Sequence, residues 1–178
     1  IDDARLRRLQ RSSDRGVATR ARALRAEAAL AAGRPASALR LARRAHTDAG
    51  RGLLRGLRPR VSLLVARAHG ALGHDAEAVR WARRAVREHE ALARRLGEHA
   101  EALGVGRARD RVVAGAIDVV LAHAGDDAAR IGVKLLMNLR EGSVFDDLLR
   151  GRRRAVREDV RTALARLRDR LLESGDTA

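Results

Sequence analysis

Two stretches of the chain match each other at a constant offset of 40 residues, and this internal match constrains the fold more than any other feature. The first covers residues 32–45 (AGRPASALRLARRA) and the second covers residues 72–85 (LGHDAEAVRWARRA). One glycine, the two alanines after it, an arginine and a closing Ala-Arg-Arg-Ala block coincide. A weaker third copy covers residues 124–133 (AGDDAARIGV). Such a period is typical of proteins built from stacked helix pairs.

Each copy predicts a helix, a tight turn and a second helix. Residues 17–32 are helix formers without a breaker, and Gly33 follows where a helix ends on a left-handed residue. Pro35 suits the first turn of the next helix, because its missing N–H would have no partner there. The other copies place acidic residues, Asp75 and Asp126–Asp127, at this point, where they meet free N–H groups and the positive end of the helix dipole.

The second helix of each copy carries a single apolar stripe with spacing i, i+3, i+4, i+7. The stripe comprises Ala38, Leu41, Ala42 and Ala45 in the first copy, and Ala78, Trp81, Ala82 and Ala85 in the second. We expect these residues to pack in a core rather than to bind a ligand. Alanine on the stripe allows two helices to approach closely.

The remaining segments complete an all-α prediction of an antiparallel helix-pair solenoid. The glycine-rich segment 50–59 is either a loop or a frayed helix extension. A helix is expected over 75–96, then a break marked by Gly97, Gly104 and Gly106, then a helix over about 108–124.

The expected organisation divides the chain into repeats, a cap and a tail. Helical repeats occupy residues 1–140, with clear units at about 17–48 and 59–96 and a degenerate unit at about 107–140. Capping helices follow over 141–173, and residues 174–178 form a tail. The cap prediction depends on a capping box at Ser143–Asp146 and on a later stripe. That stripe comprises Val156, Val160, Leu164, Leu167 and Leu171.

The charge of the chain admits two interpretations. The net charge is +15, and Lys134 is the only lysine among 38 basic residues. The excess is either an electrostatic footprint for nucleic acid or an acidic partner, or a consequence of GC-rich codon usage. The near absence of lysine favours codon usage.

Several function classes lack the residues that they require. There is no cysteine, which excludes disulfides, cysteine–zinc sites and thiol nucleophiles. The six histidines form no recognisable ligand motif, so we expect no metal and no cofactor. No nucleophile or phosphate-loop motif occurs, and we expect no enzymatic activity. Without a long apolar run or a visible signal peptide, a cytoplasmic location and no membrane partner are expected. A chain that begins with Ile1 is also expected to be part of a larger protein.

The small residues of the two clear copies resemble tetratricopeptide repeats. That family has small residues at positions eight, twenty and twenty-seven, and glycine near position fifteen. With unit starts at Thr19 and Pro59, the matching residues are Ala26, Gly33, Ala38 and Ala45, and Ala66, Gly73, Ala78 and Ala85.

The same register also shows departures from the family. Arg22 and Ser62 replace the large residue at position four, and Ala42 and Ala82 replace the aromatic residue at position twenty-four. The offset is 40 residues, which a HEAT-like helix pair would also match.

The alanine- and arginine-rich texture resembles the repeat arrays that precede CHAT domains in actinobacterial proteins. Those domains are caspase-like peptidases. The resemblance implies a regulatory or sensing array for an attached effector. The peptidase itself needs a cysteine, so that domain is not in this chain.

The family resemblance also implies a binding surface on the first helix of each unit. Positions two and nine correspond to Arg20, Glu27, Arg60 and Arg67. Positions five and twelve correspond to Ala23, Leu30, Leu63 and Gly70. Arginines there can bind carboxylates of a protein or peptide partner.

Two hypotheses therefore remain open. The first is a protein-binding scaffold whose partner is another protein or peptide, acidic or not, or a domain of the same polypeptide. The alternative is a basic, nucleic-acid-binding helical protein. The scarcity of aromatic residues, 1% of the chain, disfavours recognition of single strands by stacking.

Overall fold

The computed structural model describes residues 3–50, 52–96 and 105–137, together with Ala165, Arg166 and Asp169. All regular structure in these ranges is helical, so the predicted all-α class is confirmed there. In chain order the helices are α1 (Asp3–Gln10), α2 (Arg15–Ala31), α3 (Pro35–Ala49), α4 (Arg58–Gly70), α5 (Asp75–Leu96), α6 (Val105–His123) and α7 (Ala128–Met137). Two 3-10 turns, Gly52–Leu57 and Gly125–Asp127, lead into α4 and α7.

Helix α2 begins with a side-chain cap that the sequence analysis missed. Oδ1 of Asp14 accepts hydrogen bonds from the backbone N–H groups of Gly16 (2.7 Å) and Val17 (3.2 Å). These bonds satisfy donors that have no partner within the helix. The helix therefore starts at Arg15, two residues before the predicted start.

Three glycines make the turns between paired helices, as predicted. Gly33, Gly73 and Gly125 have φ values of 65°, 72° and 53°, a region that other residues rarely adopt. At the first two joints the next N–H bonds back across the turn, Arg34 N to Ala29 O (2.8 Å) and His74 N to His69 O (3.0 Å). This pattern closes the end of a helix and satisfies its last carbonyl groups.

Alanines form the tightest part of the core. Ala38, Ala42 and Ala45 of α3 have no solvent exposure, and neither have their counterparts Ala78, Ala82 and Ala85 of α5. Ala26 and Ala66, at position eight, are equally buried. The predicted core role of the stripe is confirmed, and the small side chains let the backbones approach closely.

Of the other predicted helix boundaries, one is confirmed and one is wrong. Helix α5 runs from Asp75 to Leu96, as predicted. The segment before α4 is a 3-10 turn, followed by Pro59 in the first turn of the helix. The prediction that Gly106 lies in a break between two helices was wrong, because α6 already begins at Val105. Gly97 and Gly104 lie outside the described residues.

The helices pack in sequence order, each against the next, from α1 to α7. We call α2, α4 and α6 the first helices and α3, α5 and α7 the second helices, because the three joint glycines separate them. First helices also contact each other, α2 with α4 and α4 with α6. One apolar cluster joins α2, α3 and α4, and a larger one joins α4, α5, α6 and α7.

The predicted cap falls almost wholly outside the described residues. Ser143–Asp146 and the tail at 174–178 belong to the part that is not described. Ala165, Arg166 and Asp169 are helical, and Nη1 of Arg166 lies 3.2 Å from Oδ1 of Asp118 on α6. Within the described ranges, no helix combines the length and apolarity needed to cross a bilayer.

Candidate partner-binding surface

The four predicted binding residues share one face of the first helices, which we call the first-helix face. Arg20 and Glu27 are two turns apart on α2, and Arg60 and Arg67 are two turns apart on α4, so each pair lies on one side of its helix. Glu27 on α2 and Arg60 on α4 form an ion pair, so the two pairs of residues lie next to each other. The structure therefore places all four residues on the same surface.

Glu27 and Arg60 form a bidentate ion pair between α2 and α4. Nη2 of Arg60 lies 2.7 Å and 2.9 Å from the two carboxylate oxygens of Glu27, and Nε lies 2.9 Å from Oε1. This geometry matches the planar guanidinium to the carboxylate. Within the described chain, the charge of Arg60 is therefore already neutralised, and a ligand carboxylate would have to displace Glu27.

Arg20 and Arg67 are the cations that this face presents. Both are exposed, and neither forms an ion pair with another described residue. The guanidinium of Arg67 lies across α6 at Gly115, where a Cβ atom would come within 2.9 Å of its Nη2. A Cβ atom at Gly115 would come still closer, 2.6 Å, to Cδ2 of Leu63, so the absence of a side chain there makes room for both Leu63 and Arg67 between α4 and α6.

Three other residues that the family pattern places on this surface are buried. Ala23 and Leu63 are 3% and 6% exposed, and Gly70 packs under the ring of His123. The close contact between consecutive first helices covers them. They are part of the core here and are not available to a ligand, whereas Leu30 remains half-buried.

A polar cluster around Glu88 is the main feature that the sequence analysis did not find. Oε1 of Glu88 accepts a hydrogen bond from Arg84 Nε (3.0 Å), forms an ion pair with Arg58 Nη2 (2.9 Å) and lies 3.1 Å from His46 Nε2. Its Oε2 accepts a 2.7 Å hydrogen bond from Ser62 Oγ. The Glu88 cluster, which comprises these five residues, thus links helices α3, α4 and α5.

Opposing effects act on the charge of Glu88. Burial alone would raise the pKa of its carboxyl, but the hydrogen bonds from His46, Ser62 and Arg84 outweigh burial and lower the pKa to about 2. The group is therefore ionised at neutral pH. Since a carboxylate only accepts hydrogen bonds, the proton between Glu88 and His46 lies on Nε2 of His46.

Trp81 packs beside this cluster. The His46 ring meets Trp81 edge-on with centroids 5.1 Å apart, and the guanidinium carbon of Arg84 lies 4.7 Å from the Trp81 centroid. The second contact is a cation–π interaction. The lone tryptophan thus orients two of the groups that bind Glu88, besides its place on the apolar stripe.

A second polar group lies at the joint between α4 and α5. Nη2 of Arg43 lies 3.2 Å from Nε2 of His69, whose Nδ1 lies 3.2 Å from Nδ1 of His74. Burial and the nearby Arg43 charge lower the pKa of His69, which favours its neutral form. Because Arg43 can only donate, neutral His69 carries its proton on Nδ1 and donates it to His74.

His123 connects the end of α6 to the same joint. Its Nδ1 lies 2.7 Å from Oδ1 of Asp75, and its ring covers Gly70. Asp75 was predicted to meet the free N–H groups at the start of α5. It does lie at the first position of that helix, and it is also paired with the imidazole.

Among the described residues, clefts open beside helix α5. The first, of about 220 Å³, lies between α5 and α7 and is lined by Arg83, Arg87, Arg130 and Lys134 over an apolar floor. The other, of about 280 Å³, lies beside the Glu88 cluster, where Arg58 is already bound to Glu88. Within the described chain, no group of three or more histidine and acidic side chains is arranged to hold a metal ion.

The chain matches no protein-family model. No curated protein and no solved structure is significantly similar to it either.

Proposed function

We propose that this chain is a tetratricopeptide-like scaffold that binds protein through its first-helix face. The supporting observation is the packing of α2 against α4 and of α4 against α6, which forms one continuous face from successive first helices. Stacked helix pairs of this kind generally provide extended binding surfaces.

The charges on the face favour an acidic partner segment. Arg20 and Arg67 are exposed and unpaired among the described residues, while the Glu27–Arg60 pair between them is locally neutral. Carboxylates of a partner would complement the two free guanidinium groups. The resemblance to arrays beside CHAT domains extends this proposal to a regulatory role, in which the partner would be an effector domain of the same polypeptide.

Selection from a displayed library of random peptides tests the proposal. We expect selected peptides to be rich in Asp and Glu, and to bind an Arg20→Glu/Arg67→Glu variant about tenfold more weakly, because two attractive contacts become repulsive. The matched control, Arg40→Glu/Arg44→Glu, makes the same charge change on exposed sites of α3. Selected peptides that lose equal affinity for both variants would rule out this face.

A further inference from the structure

The cleft between α5 and α7 carries two facing rows of cations, and we call it the second-helix cleft. Arg83 and Arg87 are one turn apart on α5, and Arg130 and Lys134 are one turn apart on α7. Residues at this spacing lie on the same side of a helix, about 5–6 Å apart. Each wall of the cleft thus presents a pair of positive charges.

Most of this charge has no partner in the described chain. Arg130 lies 2.8 Å from Asp127, an exposed acid of the same lining. Arg83, Arg87 and Lys134 form no ion pair with any described residue, and all three are exposed. Like charges placed together without counter-charges repel one another, so an anion bound between them would relieve that repulsion.

The floor of the cleft is apolar. Val86 and Leu135 are 1% and 4% exposed, and Ile131 is half-buried beside them. The volume of about 220 Å³ is below the range of pockets for drug-sized ligands but has room for an aliphatic side chain. A ligand that fits both features has carboxylates on either side of an apolar group.

From this arrangement we propose that the second-helix cleft binds an acidic peptide segment, with one apolar side chain on the floor and flanking carboxylates on the two rows of cations. Nucleic acid fits less well. Its phosphates gain nothing from an apolar floor, and the lining holds no aromatic side chain on which a base could stack.

This inference rests on the proposed protein-binding function, but it concerns different helices. The first-helix face lies on α2 and α4, and the cleft lies on α5 and α7. Arg20→Glu/Arg67→Glu therefore tests the face, and Arg83→Glu/Arg87→Glu tests the cleft. Because each proposal has its own variant, the failure of one can be told apart from the failure of the other.

The binding test uses a synthetic peptide of repeated Glu-Leu-Glu units, labelled with fluorescein at its N-terminus. We expect Arg83→Glu/Arg87→Glu to weaken binding about tenfold, and the control Arg40→Glu/Arg44→Glu to stay within about twofold of the wild type. A Gln-Leu-Gln peptide should bind more weakly because it has no carboxylates for the two rows of cations. A Glu-Gly-Glu peptide should also bind more weakly because it has no apolar side chain for the floor of the cleft. Circular dichroism of each variant checks that the fold is retained.

The single lysine gives a direct readout of position. A carbodiimide joins a bound carboxylate to an amine, and Lys134 supplies the only side-chain amine of the sequence. We expect the peptide to be crosslinked at Lys134. A Lys134→Arg variant keeps the charge, so it should bind the peptide normally and lose that adduct.

Several outcomes would overturn the proposal. One is equal binding of the Glu-Leu-Glu peptide to wild type and to Arg83→Glu/Arg87→Glu. Another is crosslinking of the peptide to the N-terminal amine alone, or of Lys134 only to carboxylates of its own chain. A third is tighter binding of duplex DNA than of the peptide, with the DNA also lost in the cleft variant, which would assign the cleft to nucleic acid.

Discussion

The hydroxyl of Ser62 donates a 2.7 Å hydrogen bond to Oε2 of Glu88. The residues 40 positions before these two, Arg22 and Asp48, form the corresponding bond. Nη1 of Arg22 donates a 2.7 Å hydrogen bond to Oδ2 of Asp48. Both bonds join the first helix of a pair to the second. The polar residues Arg22 and Ser62, which correspond at the 40-residue offset, therefore have a common role, which is to bind an acidic residue on the second helix of the pair.

Ser62→Ala should destabilise the protein by about 1–3 kcal/mol, because it removes a hydrogen bond from a buried hydroxyl to a partly buried charged group. Ser62 has no solvent exposure, so water cannot replace its hydroxyl without rearrangement. Urea denaturation measures the free energy of unfolding. Ser37→Ala is the control, since Ser37 bonds only to exposed Arg40, and we expect a change below about 0.5 kcal/mol there. Equal effects of the two substitutions would contradict the role given to Ser62.

Glu88→Gln should destabilise the protein by about 2–3 kcal/mol at neutral pH, because it leaves three basic side chains without their shared anion. The loss of stability is moderated because the side chains of Arg58 and Arg84 are 29% and 40% exposed to solvent. Glu77→Gln on the same helix is the control. Glu77 forms only an exposed pair with Arg80, which we expect to contribute less than about 1 kcal/mol.

The effect of Glu88 should depend on pH in a defined direction. The pKa of its carboxyl is about 2 in the folded protein. In the unfolded chain a glutamate has a pKa of about 4.3, so the unfolded state binds more protons between these values. The stability difference between wild type and Glu88→Gln should be full above about pH 5 and shrink as the pH falls towards 2. A difference that is the same at both ends of this range would contradict the lowered pKa.

The effect of Gly70→Ala on the free energy of unfolding should change sign when His123 is replaced by alanine. A Cβ atom on Gly70 would lie 2.9 Å from Cδ2 and Cε1 of His123, which is too close without a shift of the ring. We expect the single substitution to destabilise by about 1–2 kcal/mol, since it overpacks the contact between α4 and α6.

In a His123→Ala background, Gly70→Ala should instead stabilise by up to about 1 kcal/mol, because alanine favours helix over glycine. Thermal or urea unfolding of the four proteins in this cycle gives the coupling between the two residues. Additive effects would show that the ring does not occupy the space beside Gly70.

The sequence predicted those parts of the structure that depend on local chemistry. The left-handed conformation at Gly33 and Gly73 follows from the need to end a helix, and the buried stripe at Ala38 and Ala78 follows from helical spacing. Both signals lie within one turn of the residues concerned.

The Glu88 cluster could not be predicted in the same way, because its members come from three helices. Asp48 and Glu88 do occupy corresponding positions at the 40-residue offset, as do Arg22 and Ser62. A search for polar pairs that change together between the copies would have found this signal. The contact of His123 with Gly70 joins different units and leaves no trace in the internal match.

The most direct test of the protein-binding function compares an acidic peptide with duplex DNA on the same protein. Titrations of a library-selected acidic peptide and of a DNA duplex, at low and physiological salt, use wild type, Arg20→Glu/Arg67→Glu and the Arg40→Glu/Arg44→Glu control. We predict that the peptide binds more tightly than DNA at physiological salt, and that the first-helix variant alone loses about tenfold in peptide affinity. Tighter binding of DNA at both salts, with peptide affinity unchanged by Arg20→Glu/Arg67→Glu, would contradict the account.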